Sequence, residues 1–253
     1  MGSVGAKEVP ELLNAEGRRI DGRRLDELRS ISMKVGPLTR ADGSAFVEWG
    51  ENKVMAAVYG PREVHPRHLM QTSKAIIQCR YNMAAFSVDE RKRPGQDRRS
   101  QEISKVITEA FESVVFTEEF PKTSIDIYIE VLQANAGTRC AGLVAASLAL
   151  ADAGIPMADL VASVAVGKVA GRIALDLKKE EDNFGEADMP LALVPQSGRL
   201  VLIQMEGHLN RDELRQALDL GTKGCRDIYE RMRQALRTRY DVPAGAPAEG
   251  VPA

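Results

Sequence analysis

Residues 176–188, DLKKEEDNFGEAD, place six carboxylates beside two lysines, immediately ahead of the apolar run Met189–Val194. Carboxylates that are held still bind hard cations or pass protons. An adjoining strand would hold at least one of them, Asp188, in place, and Asp182 and Asp188 flank a Phe184-Gly185 turn candidate. Composition by itself favours a plainer reading, a solvated acidic loop joining two strands, because charge runs usually are that.

The opposite charge lies upstream. From Arg62 to Arg99, nine Lys/Arg stand against four Asp/Glu, a balance of +5, which is a candidate phosphate track. Hydrated surface arginines are the alternative, and only Tyr81 and Phe86 offer aromatic faces for base stacking in that stretch. Arg98 and Arg99 come just before Ile103, Val106, Ile107, Ala110, Phe111 and Val114. That spacing predicts an amphipathic helix whose N-terminus would gather an anion together with the two guanidiniums. A second corner, Gly137-Thr138-Arg139, lies between the alternating run Ile125, Ile127, Ile129, Val131 and an apolar, small-residue segment. It offers N–H groups, a hydroxyl and a guanidinium, all ligands for an oxyanion. No Walker loop is present, and many strand-to-helix corners carry Gly and Thr only for turning and capping.

Positioning such groups needs layers. Residues 29–60 read as an antiparallel meander, with a further strand over 75–83. Strand, tight turn and buried helix follow over 123–154. Strands over 160–170, 172–178, 189–196 and 199–206 then precede a long helix from about Arg211 to Arg239. Strands followed by helices, twice, predict an α+β fold of two similar β-rich halves with helices packed on the sheets, not a doubly wound nucleotide fold. Residues 1–20 read as an N-terminal arm, with 20–29 a short capped helix or turn within reach of it. Residues 21–240 are taken as one domain, and 241–253 as a disordered Pro/Ala/Gly-rich tail.

Other classes find little support. A hydrophobic fraction of 44% and a charged fraction of 28% are ordinary for a soluble globular chain of 253 residues. No apolar run reaches membrane-spanning length and the first residues carry no apolar leader core, so a cytoplasmic protein without membrane contact is expected. Cys79, Cys140 and Cys225 are too far apart in sequence for a zinc or disulfide framework, and His65 and His68 have no third ligand nearby. A net charge of −2 argues against a uniformly basic nucleic-acid binder.

Taken together, RRSQEI at 98–103, LQANAGTRCAGL at 132–143 and LDLKKEEDNFGEADMP at 175–190 resemble the ribonuclease PH family. Within it, the order DGRRLDELR, HPRH, ERKRPG, EEDNFGEADMP is similar to the catalytic subunits of the archaeal exosome. Thr138 stands where close relatives often have Ser, which keeps the hydroxyl. The resemblance implies a ribonuclease PH-like fold and a processive 3′-to-5′ exoribonuclease that uses inorganic phosphate as co-substrate and releases nucleoside diphosphates, with RNA tailing as the reverse reaction. By motif match, Arg99, Gly137, Thr138 and Arg139 correspond to the phosphate site and Asp182 to the general acid. Asp188 corresponds to a ligand of a divalent metal, Mg2+, and Arg67 and Arg98 to RNA-backbone contacts. The implied partners are the 3′ end of RNA, a related inactive subunit in a hexameric ring of three heterodimers, and RNA-binding cap proteins.

Elementary chemistry agrees with that division of labour. Phosphate is already an anionic nucleophile, so it needs cations and N–H groups to hold it in line, and no Ser/His/Asp relay. The leaving 3′-oxygen needs a proton, and Glu180, Glu181 and Glu186 would raise the pKa of Asp182 enough to supply one. Two rival readings are a homohexameric enzyme trimming transfer-RNA ends and a non-catalytic RNA-binding ring subunit. The latter would be expected to lack the aspartates or the phosphate arginines.

Overall fold

The computed structural model describes residues 12–241. The expected tail beyond 241 and the first eleven residues of the arm lie outside that range. β1 (Ile31–Val35), β2 (Gly43–Trp49) and β3 (Asn52–Glu63) form the antiparallel meander. β4 (Ile76–Met83) does not extend it. The chain crosses over through α1 (Arg98–Glu112) to β5 (Thr123–Gln133), which inserts between β3 and β4. β5 runs antiparallel to β3 and parallel to β4, and a parallel pair requires such a crossover, here a helix. The alternation seen in the sequence is the alternation of burial, with Ile125, Ile127, Ile129 and Val131 wholly buried.

α2 (Thr138–Asp152) leads into the second sheet, built from β6 (Ala162–Val169), β7 (Arg172–Leu175), β8 (Ala187–Val194), β9 (Arg199–Ile203) and β10 (Glu206–Gly207). β8 pairs with β6 on one side, while β9 and β10 share its other side end to end. A short helix, α3 (Lys179–Phe184), separates β7 from β8, and α4 (Arg211–Tyr240) closes the fold across β6 and β7.

α2 is the keystone. It touches β2, β3 and β5 of the first sheet and β6 and β8 of the second, and a helix apolar on all sides has to be buried in this way. Gly142 lets it sit close, since a Cβ there would lie 3.1 Å from Ile129 Cγ2 and 3.5 Å from Tyr81 Cε2. Leu143, Leu148 and Leu150 are fully exluded from solvent, each contributing ~1.5–3 kcal/mol by burial. One hydrophobic core therefore runs from Trp49 and Ile107 in the first half to Met189 and Ile228 in the second.

One local outcome differs from the sequence expectations. The acidic stretch is not merely a loop with a Phe-Gly turn: Asp182 sits on α3 and Asp188 is inside β8. Residues 20–29 take the turn of the two readings offered for them, with Asp21 accepting from the Arg23 backbone N–H at 3.2 Å. Among the described residues no helix is long and apolar enough to cross a membrane.

Candidate active site

Two helix starts make an anion cradle. At α1, Asp97 caps the helix by accepting from Ser100 N at 2.8 Å, and its carboxylate is further held by Lys92 Nζ at 3.0 Å. This fixes Arg98 and Arg99 in the first turn. At α2 the chain turns through Ala136 (φ 49°) and Gly137 (φ 68°). The left-handed conformation at Gly137 suits a residue without Cβ, and no side chain caps the helix there. The first N–H groups of α2 are therefore left to solvent or to an anion.

The corner is pinned from behind. Arg29 donates to the carbonyls of Asn135 at 2.5 Å and Ala136 at 3.4 Å, and Asn52 Nδ2 donates to Ala136 O at 2.6 Å. Arg29 is itself held by Asp176, whose carboxylate accepts from Arg29 Nη2 and the Arg29 backbone N–H, each at 2.7 Å, and from Trp49 Nε1 at 2.9 Å. Burial works to raise the Asp176 carboxyl, but the Arg29 charge and these hydrogen bonds keep it below the ordinary value. Asp176, first of the acidic run, is thus structural: it joins the turn after β7 to the corner before α2.

The carboxylates face the cradle. Asp182 and Asp188 line one cleft of about 310 Å³ with Arg99, Gly137, Thr138 and Arg139. Burial pushes Asp188 up to about 7, with the charge of nearby Asp182 adding to it and Arg139 pulling the other way. Asp182 is also raised, by burial first, against the pull of Arg99 and Arg139. A pair so placed retains a proton near neutral pH.

The expected cause of that shift was wrong. Glu181 is buried in a paired contact with Arg19, Glu186 pairs with Lys168 at 3.2 Å, and Glu180 with Lys178 at 3.8 Å. Their charges are answered locally. The third carboxylate acting on the aspartates is Glu206, set opposite Asp188 by the pairing of β10 with β8. Nothing in linear sequence marked it, because strand register put it there.

The other sequence candidates divide. Arg98 lines an adjoining groove of about 940 Å³ that continues the cleft past Arg139 and Glu206. Arg67 lines neither; it lies on a 3-10 turn, largely exposed, with its guanidinium on Glu63 at 2.7 Å. Lys92 and Lys179 line the cleft and were not singled out beforehand. Lys179 pairs with Asp89, linking α3 to the loop before α1. Arg139 donates to Gln204, which in turn donates to Glu102 at 2.9 Å.

Asp188 Oδ1 is buried without a hydrogen-bond partner, which suits an oxygen meant for a cation. Among the described residues no cluster of three or more His, Cys, Asp or Glu could hold an ion. Asp188 would thus leave most positions to water and substrate oxygens, the habit of Mg2+ at phosphate-handling sites.

A cationic cradle opposed to a proton-holding carboxylate pair, on the seam between two sheet-and-helix halves, defines a protein built to handle phosphoryl groups. The chain belongs to the 3′ exoribonuclease family, whose domain 1 matches residues 27–156 and whose domain 2 matches residues 159–224. It is 60% identical to the exosome complex component Rrp41 of Thermococcus onnurineus over 237 residues, covering 94% of this chain and 95% of that protein. It is 59% identical to the protein of the same name from Archaeoglobus fulgidus over 236 residues, covering 92% of each. Among solved structures, rice Rrp46 superposes with a TM-score of 0.79 at 24% identity, covering 87% of this chain and 100% of the other. A chain from the Archaeoglobus fulgidus exosome with RNA bound to the active site gives 0.74 at 23% identity, covering 85% and 92%. At those identities the superpositions speak for the fold.

Proposed function

We propose that this chain is the catalytic subunit of an exosome-type ring, a 3′-to-5′ exoribonuclease that cleaves with inorganic phosphate rather than water. The observation that carries this is the sharing of one cleft by Arg99, Thr138, Arg139, Asp182 and Asp188. The similarity to proteins named exosome complex component Rrp41 supports it.

In this reading the α2 N–H groups, the Thr138 hydroxyl and the two guanidiniums hold free phosphate in line with the last phosphodiester of the RNA. A phosphate oxygen attacks the terminal phosphorus, the bond from phosphorus to the 3′-oxygen breaks, and that oxygen takes a proton supplied through Asp182. The products are a nucleoside diphosphate and RNA shorter by one nucleotide, and the same groups serve the reverse addition. Mg2+, held by Asp188, would neutralise charge on the crowded phosphoryl oxygens. Arg98 in the adjoining groove, and Arg67 outside both cleft and groove, would contact the RNA backbone, which carries no base information.

The partners in this proposal are a related inactive subunit, alternating with this chain in a hexameric ring of three heterodimers, and RNA-binding cap proteins, acting in the cytoplasm. The decisive experiment incubates the assembled ring with 5′-labelled RNA, with and without phosphate. Phosphate-dependent shortening with nucleoside diphosphate as product is expected. Nucleoside monophosphate formed without phosphate would mean hydrolysis, and no turnover despite RNA binding would mean a scaffold.

A further inference from the structure

Tyr81 lies in β4 with its side chain wholly buried, yet it joins the two helix starts that make the cradle. Its backbone N–H donates to Ser104 Oγ at 2.9 Å, and Ser104 Oγ donates to Ser100 O at 2.6 Å, within the first turns of α1 that carry Arg98 and Arg99. Its ring packs beside Gly142 of α2. Its hydroxyl lies 2.8 Å from Thr138 Oγ1, at the first residue of α2.

We infer that Tyr81 is a positioning residue of the phosphate site, whose hydroxyl donates to Thr138 Oγ1 and so leaves the Thr138 proton free to point at the bound oxyanion. This rests on the proposal that Thr138 is a phosphate ligand. The direction of the bond follows from the chemistry of the two groups. A phenol is a stronger donor and a weaker acceptor than an aliphatic hydroxyl. A phosphate oxygen only accepts, so a Thr138 hydroxyl that spent its proton on Tyr81 would present lone pairs to an anion. With Tyr81 as donor, the chain runs phenol to threonine to phosphate, and each bond polarises the next.

The surroundings keep the phenol in its donor form. Burial pushes the Tyr81 hydroxyl up to about 12, against the pull of its Thr138 bond and of Arg99 and Arg139, so it stays protonated throughout the range in which an enzyme works. Phenylalanine at this position would keep the ring and its packing on Gly142 while removing the donor. Thr138 would then be free to rotate away from the anion.

The test is steady-state kinetics of the active assembly containing the full chain, varying inorganic phosphate at saturating RNA. Tyr81→Phe is expected to raise KM for phosphate ~5–10-fold, the size of one lost hydrogen bond, while KM for RNA and kcat stay within about twofold. Thr138→Ala is expected to raise the phosphate KM at least as much, and Tyr81→Phe to add little in that background; Thr138→Ser, which restores a hydroxyl, should restore the response to Tyr81→Phe. A raised KM that persists in full in the Thr138→Ala background would mean a packing defect and overturn the inference. So would Tyr81→Phe leaving KM unchanged while Thr138→Ala raises it, with the phosphate site itself intact. If Thr138→Ala leaves the phosphate KM unchanged, the phosphate-site assignment falls and the role of Tyr81 with it.

Discussion

The first sheet and its helices bring cations and N–H groups to the cleft; the second brings carboxylates, and the two halves hold their charges by different means. Arg98 and Arg99 are held at the start of α1 by a cap set by short-range sequence, and Thr138 and Arg139 follow a glycine corner whose carbonyls Arg29 and Asn52 hold from behind. Asp182 and Asp188 are held by tertiary contacts: a six-residue helix anchored through the buried Glu181–Arg19 pair, and a strand paired on both sides. The lesson is one of polarity. Cations sit where helix ends already favour an anion, whereas neighbouring carboxylates disfavour each other's charge and need buried surroundings to keep a proton. Neither half alone contains a site.

The strongest way to break this comparison is at the carboxylates. Asp182→Asn keeps the shape and removes the acid, so kcat should fall ~10²–10⁴-fold with RNA affinity retained; near-normal turnover would remove Asp182 from the chemistry. Next comes the joint between the halves. Asp176→Asn leaves Arg29 buried without its counter-charge, a loss of ~3–5 kcal/mol, and thermal melts should show a fall in Tm on the order of 10 °C. A change of a degree or less would mean that the buried pair does not join the halves.

A smaller effect follows from Asp188 in metal-free buffer. Its carboxyl has an ordinary value of 3.8 and is raised to about 7 in the folded chain. The folded state therefore holds the proton more tightly, so this contribution to stability is fully present below the ordinary value and is lost as pH rises through about 7. Asp188→Asn cannot ionise, so its stability relative to the wild type should climb by ~4 kcal/mol between about pH 4 and about pH 7, then level off. Melts of both proteins across that range would show it, and a constant difference would contradict the burial argument. The smallest effect is expected at Arg67, which lines neither the cleft nor the groove. Arg67→Ala should weaken RNA binding evenly across sequences and reduce the salt slope by about 1; loss confined to particular sequences would point to base contacts instead.

Much of this was legible beforehand wherever the signal is local. The burial alternation of β5, the amphipathic period of α1 and the uncapped glycine corner of α2 are properties of neighbouring residues, and each was found where the pattern put it. A strand beside Asp188 was legible for the same reason, although it begins at Ala187 and takes Asp188 in. The acidic run misled where it was read as a set of neighbours. Glu181 and Glu186 adjoin Asp182 in sequence but are paired with Arg19 and Lys168, while Glu206 and Tyr81 reach the site from distant strands.

The sequence by itself settled which residue types could form an anion cradle and a proton-holding pair, because capping, turning and periodicity act over a few residues. Only the tertiary structure decided that the two face each other across one cleft, that Asp176 serves structure rather than chemistry, and which carboxylate acts on which. Charge interactions depend on distance and burial through space, and strand register and helix packing, not chain order, determine both.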